Sequence, residues 1–264
     1  MTPTLTQALA WAADGAAHLR GMMTRMGDDA FAKPSGLPDW TRAHVLTHVA
    51  RNADAMVNLV TWARTGVPTP AYPSRDERDA DIETGAGRTP AEIRADLIAS
   101  SDRLAAAVRG MPEQAWSARI ADTRGRRMIA SDVLWLRARE VWIHAIDLDA
   151  GASFTDLPRP MLRELLTDAA ATLGARPDFP RLLLVPSDES RTWTVGEVAP
   201  GSDPAGSGAE GSDPAGSSPE GSNRGPLEVR GTAAELAAWL LGRSKGRELR
   251  TAEGKRPPKL PPWL

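Results

Sequence analysis

The chain has 264 residues, 41% of them hydrophobic and 25% charged, with a formal net charge of −2. That size and balance fit a globular protein of one large or two modest domains, and the near-neutral charge excludes a global electrostatic case for nucleic acid or an anionic membrane. The absence of cysteine excludes disulfides, thiolate metal ligands and a cysteine nucleophile, so any thiol chemistry must use sulfur carried in by a cofactor.

The N-terminus has no basic start followed by an apolar core. No apolar run reaches the roughly 18 residues of a membrane span, so the cytoplasm is the expected location. The stretch from Thr4 to Met26, rich in Ala, Leu and Met, reads as a first helix. Residues 34–39 form a break, and Thr41 is positioned to cap a second helix running to about Thr65. Its apolar stripe is Leu46, Val49, Ala53, Met56, Val57 and Val60, which follows the 3.6-residue period, and Gly66-Val67-Pro68 ends it. A third helix opens on the capping box Thr89-Pro90-Ala91-Glu92 and continues to about Arg109. A fourth runs from about Ile129 to Asp147, with Ile129, Val133, Leu136 and Ile143 tracing one face. No strand is expected among them, and the four suggest an antiparallel four-helix bundle.

Beyond Gly151 the character changes. A fifth helix from about Arg159 to Leu173 leads into two strand candidates, Arg181–Val185 and Thr192–Val195. From Pro200 to Gly225 the chain is almost wholly Gly, Ser, Pro, Ala, Asp and Glu, with the heptapeptide at 201–207 recurring at 211–217. That composition predicts a flexible hairpin insertion. Leu227–Arg230 resumes the sheet, and Thr232-Ala233-Ala234-Glu235 is another capping box, opening a helix to Gly242. The fold class is therefore α+β: a four-helix bundle over residues 1–152 and a smaller α+β domain over 153–264, interrupted at 200–225.

Glu140 and His144 stand one turn apart in Arg139-Glu140-Val141-Trp142-Ile143-His144, on the apolar face of the fourth helix. A carboxylate there needs a partner. Two ligands at i and i+4 can grip one metal ion, and a Glu paired with a protonated His or an Arg is the structural alternative. Only four histidines exist: His18, His44, His48 and His144. His44 and His48 are also spaced i, i+4, on the flank of the second helix's stripe. His44 is read as solvated. Spacing leaves His48 open between local packing and metal ligation.

Leu37-Pro38-Asp39-Trp40-Thr41 followed by Val45-Leu46-Thr47-His48-Val49-Ala50 resembles the signature of DinB-like metal-binding domains. Arg139 to Leu148 resembles the corresponding segment of the mycothiol-dependent maleylpyruvate isomerases. Ala238-Trp239-Leu240-Leu241-Gly242-Arg243 and the closing Leu260-Pro261-Pro262-Trp263-Leu264 are similar to that family's C-terminal domain. The resemblance implies His48, Glu140 and His144 as ligands of a divalent metal, usually zinc, with a coordination position left open. It implies mycothiol as the thiol cofactor, its thiolate adding reversibly to the cis double bond of a maleylpyruvate-type substrate. Arg243 is the candidate for holding the substrate's carboxylates; the alternative is a helix-end charge facing the macrodipole. The expected partners are thus a small-molecule substrate and a low-molecular-weight thiol, with neither nucleic acid nor membrane. A mycothiol S-transferase and a non-catalytic metal-binding module are the other readings.

Overall fold

A computed structural model describes residues 3–122, 125–196 and 225–261. The chain divides into two compact units, Met1–Met161 and Leu162–Leu264. Among the described residues, no helix is long and apolar enough to cross a membrane.

The first unit is built on four long helices: α1 (Leu5–Arg25), α2 (Arg42–Thr65), α4 (Pro90–Arg109) and α5 (Asp132–Asp147), with a shorter α3 (Arg75–Ala86) inserted among them. The long helices pack α1 on α5, α5 on α2, α2 on α4 and α4 on α1, a closed ring that puts α1 and α2 across from each other. The capping box read from the sequence at Thr89 is present, and Thr4 opens α1 with another. Thr4 and Thr89 each accept a hydrogen bond from the backbone N–H three residues on, and Gln7 and Glu92 return one to the cap. Gly66 ends α2 at φ 73°, a left-handed position that glycine takes without steric cost. Close helix approach needs glycine at a second place. A Cβ on Gly15 of α1 would stand 2.5 Å from Val141 Cγ2 and 2.7 Å from the Trp142 ring of α5. The Trp142 indole N–H in turn donates to the Trp11 carbonyl at 2.9 Å.

Two elements depart from expectation. Helix α3 carries one large apolar residue, Ile82, which with Gly85 is all that it buries, so it offers no stripe to read. A β-hairpin, β1 (Arg119–Ala121) with β2 (Arg127–Ile129), replaces the first turn expected of the fourth long helix. Ile129 consequently lies on a strand and is 44% exposed instead of lining the bundle. Its fit to the helical stripe is a coincidence of spacing.

In the second unit α6 (Arg159–Gly174) is followed by a four-stranded sheet of order β4-β3-β5-β6. The strands are β3 (Leu182–Pro186), β4 (Trp193–Val195), β5 (Leu227–Gly231) and β6 (Arg250–Thr251). Along β3 burial alternates with the two-residue period of a pleated strand. Helix α7 (Ala233–Leu240) starts at the capping box formed by Thr232 and Glu235, and the Trp193 indole N–H of β4 donates to Thr167 Oγ1 of α6 at 2.9 Å. The polar insertion at 200–225 lies, but for Gly225, outside the described residues. The strands on either side of it are nonetheless informative. Val195 and Leu227 both stand opposite Leu182, one antiparallel and one parallel to it. They flank β3 instead of pairing with each other.

Candidate metal centre

Helix α2 presents His48, and α5 presents Glu140 and His144. The ring order makes the site, since α2 packs on α5 although 66 residues of chain separate Thr65 from Asp132. His48 Nε2 lies 3.0 Å from Glu140 Oε2 and 3.0 Å from His144 Nε2, and His144 Nε2 is 3.3 Å from Glu140 Oε2. A tetrahedral zinc ion bound at about 2.0–2.1 Å places its ligand atoms about 3.3 Å apart. Two imidazole nitrogens and one carboxylate oxygen converging at those separations fit a divalent cation. Among the described residues this is the group of metal-ligating side chains close enough to share an ion. Side-chain exposure is 7% for His48, 12% for His144 and 30% for Glu140, so the triangle is buried on the histidine side and open beside the carboxylate.

The surrounding groups sort the two histidines. Asp147 Oδ2 accepts from His144 Nδ1 at 2.9 Å, which leaves the Nε2 lone pair directed at the centre. Asp147 is held by the loop before α2, because the Gly36 N–H donates to the Asp147 carbonyl at 2.7 Å. That loop also brings the Trp40 ring to 5.5 Å from the His48 ring. The segment from Leu37 to Thr41 therefore does two local jobs, covering His48 and capping α2.

Burial opposes protonation of His144, yet Asp147 and Glu140 together push its pKa up to about 9. Burial pulls His48 below its ordinary value, an effect only partly offset by Glu140. For Glu140, burial alone would push the carboxyl up, but hydrogen bonds from His144 and His48 outweigh it and hold the group well below the usual carboxylate range. One turn before it, buried Arg137 donates to the Val49 carbonyl at 2.9 Å and to Asn52 Oδ1 at 2.8 Å. Burial draws that guanidinium down to about 10 against the charge of Glu140.

His44 takes no part in the triangle, nor is it solvated as expected. Its Nδ1 accepts from the Thr41 backbone N–H at 3.2 Å, completing the α2 capping box, and its Nε2 pairs with Glu83 of α3 at 3.2 Å. Histidine is not among the residues usually read as the far half of such a box, which hid the role. Arg243 follows α7 in the second unit, half-buried, and its Nη1 donates to the Leu241 carbonyl at 2.8 Å. Sequence reasoning also missed Asp147, Arg78, whose Nη2 lies 3.3 Å from His48 Nδ1, and Tyr72, whose ring lies against the Arg78 guanidinium. Asp147 was visible at i+3 from His144. Tyr72 and Arg78 lie on a loop and a polar helix that carry no periodic signal.

Residues 7–149 match the family described as mycothiol maleylpyruvate isomerase N-terminal domain, and residues 156–260 match its MDMPI C-terminal domain. No curated protein matches the sequence. Among solved structures, a mycothiol-dependent maleylpyruvate isomerase is similar over 100% of both chains, at 30% identity and a TM-score of 0.85. A histidine-to-alanine mutant of a mycothiol-dependent maleylpyruvate isomerase matches with the same identity, coverage and TM-score.

Proposed function

The chain belongs to the mycothiol maleylpyruvate isomerase family, and on that footing we propose that it is a metal- and mycothiol-dependent cis-trans isomerase of a maleylpyruvate-type oxo acid. The observation that carries this reading is the convergence of His48 Nε2, His144 Nε2 and Glu140 Oε2 within 3.3 Å of one another on the open side of a bundle. His48, Glu140 and His144 hold a divalent metal, zinc being the ion that such a set suits. With an open coordination position, that ion supplies a stabilised thiolate near neutral pH, able to add reversibly to an activated cis double bond. The chain itself brings no sulfur nucleophile, having no cysteine.

The protein's own groups do the holding. Asp147 keeps His144 in the tautomer that ligates through Nε2 and fixes the plane of its ring. The Trp40 ring packs against His48 and limits its rotation. Glu140 offsets part of the ion's charge, and the ion offsets the cost of burying the carboxylate. Arg243 pairs with the substrate's carboxylates through its planar fork and stabilises the enolate oxygen formed on addition.

The test is turnover of maleylpyruvate, followed spectroscopically, with zinc and thiol supplied separately. Activity should require both, and Glu140→Ala should lose bound zinc and turnover while keeping its helical circular dichroism. Full activity in a thiol-free buffer, or an unchanged zinc content in the Glu140 variant, would overturn the proposal.

A further inference from the structure

Two side chains outside the metal triad stand against it. Arg78 of α3 brings Nη2 to 3.3 Å from His48 Nδ1, and its guanidinium carbon lies 5.8 Å from the centroid of the Tyr72 ring. The Arg78 side chain is 26% exposed, so it borders solvent as well as the site. Tyr72, the chain's single tyrosine, is half-buried, and it feels the charges of Arg78, Glu140 and Arg137. Helix α3 can approach this closely because Gly85 has no Cβ: one built there would meet Thr47 Cγ2, next to His48, at 2.5 Å.

The contact between Arg78 and His48 conflicts with metal ligation. A guanidinium has only donors, so it needs a lone pair on His48 Nδ1, which puts the ring's proton on Nε2, the atom aimed at the centre of the triangle. Ligation through Nε2 moves that proton to Nδ1, where it meets the guanidinium donor to donor. Metal loading and the Arg78–His48 contact therefore exclude each other. Apart from the Tyr72 ring, Arg78 pairs with Asp79, its exposed chain neighbour, a pair too solvated to hold it firmly. A half-buried cation beside an open metal position, with no firm partner once metal binds, is suited to a planar anion such as a carboxylate.

We propose that Arg78 is a carboxylate-binding residue of this site, released from His48 by metal loading and braced by Tyr72. It would take one carboxylate of the small oxo-acid substrate from the bundle side. This assignment rests on the isomerase reading for the substrate class, but not for the coupling between metal and anion.

Calorimetric titration of maleate, a cis-dicarboxylate probe, into the full chain with and without one equivalent of zinc tests it. In the zinc-loaded protein, Arg78→Ala should weaken maleate binding by about ten- to a hundredfold, as expected for losing a charge-assisted pair, and Arg78→Lys should fall between. In the metal-free protein the same change should alter maleate binding less than about threefold, and the zinc affinity of Arg78→Ala should equal or exceed that of the wild type. Should the alanine variant unfold, Arg78→Gln is read by the same criteria. Unchanged maleate affinity in the zinc-loaded variant overturns the proposal. So does a loss of zinc affinity without a loss of maleate affinity per loaded site, which would make Arg78 only an orienting partner of His48. A zinc-loaded wild type that binds no maleate overturns it as well, and a wild type that takes up no zinc overturns both readings. If the Arg78 effect on maleate appears but mycothiol-dependent turnover does not, the isomerase reading alone fails.

Discussion

His48 and His144 face the same point but are held by opposite kinds of partner, a guanidinium on one ring and a carboxylate on the other. That difference has a pH signature. His144, pushed up to about 9 by Asp147 and Glu140, is protonated at neutral pH unless a metal takes the proton's place. His48, pulled down by burial, is already neutral there. Zinc binding near pH 7 should therefore release close to one proton. The apparent affinity should fall by about tenfold per pH unit on moving down from 9. Titrations in buffers of different ionisation enthalpy would read the proton count, and a pH-independent affinity between 7 and 9 would contradict it. The same shift acts on folding with a defined sign. Because the folded pKa of His144 is raised, its contribution to metal-free stability is fully present below about 6.5 and is lost as pH rises through about 9.

At the scale of the element, α2 carries two histidines one turn apart with unrelated jobs. His44 completes the capping box with Thr41, and His48 faces α5. Replacing His44 by Ala should cost about 0.5–1 kcal/mol of stability in urea denaturation, the usual scale for half of such a cap, and leave zinc content intact. Replacing His48 by Ala should do the reverse, removing zinc and barely disturbing the helix. A zinc-deficient His44 variant that unfolds normally would mean that the cap residue also shapes the site. Helix α3 shows why an element can be functional and still hard to read. It buries only Ile82 and Gly85, so its place is set by contact with α2 and not by an apolar face of its own.

For the molecule as a whole, the sheet of the second unit sets the distance that the chain between β4 and β5 must span. Val195 and Leu227 flank Leu182 on opposite sides, a span of about 10 Å across two strand spacings. The five residues kept on either side of the cut, 196–199 and 226, already reach beyond that span at about 3.3 Å per residue. Replacing residues 200–225 by about six Gly/Ser residues should leave the melting temperature within about 5 °C and kcat/KM within about twofold of the parent, since loop entropy changes slowly with length. A two-residue replacement should do the same, because the retained flanks suffice for the span. Differential scanning calorimetry and steady-state kinetics on the pair would decide, and a large loss of activity in the six-residue version would show that the insertion contributes to function.

The sequence by itself determined the long helices, the capping boxes at Thr89 and Thr232, the strands β3, β4 and β5 and the types of side chain that meet at the site. These follow from interactions within a few residues: a Thr and a Glu three apart, a stripe with period 3.6, a Glu and a His on one turn. It also carried the family resemblance that joined His48 to Glu140 and His144. Only the tertiary structure decided the rest. The ring that sets α2 against α5 brings the side chains of His48, Glu140 and His144 together across a sequence separation of 96. The sheet order, with β5 beside β3 and not beside β4, is set by pairings between strands far apart in the chain. Arg78 and Tyr72 reach the site from segments without periodicity, because their positions are fixed by what they pack against. A local pattern encodes what a residue does to its own helix or strand, while the meeting of distant side chains depends on how helices choose their neighbours.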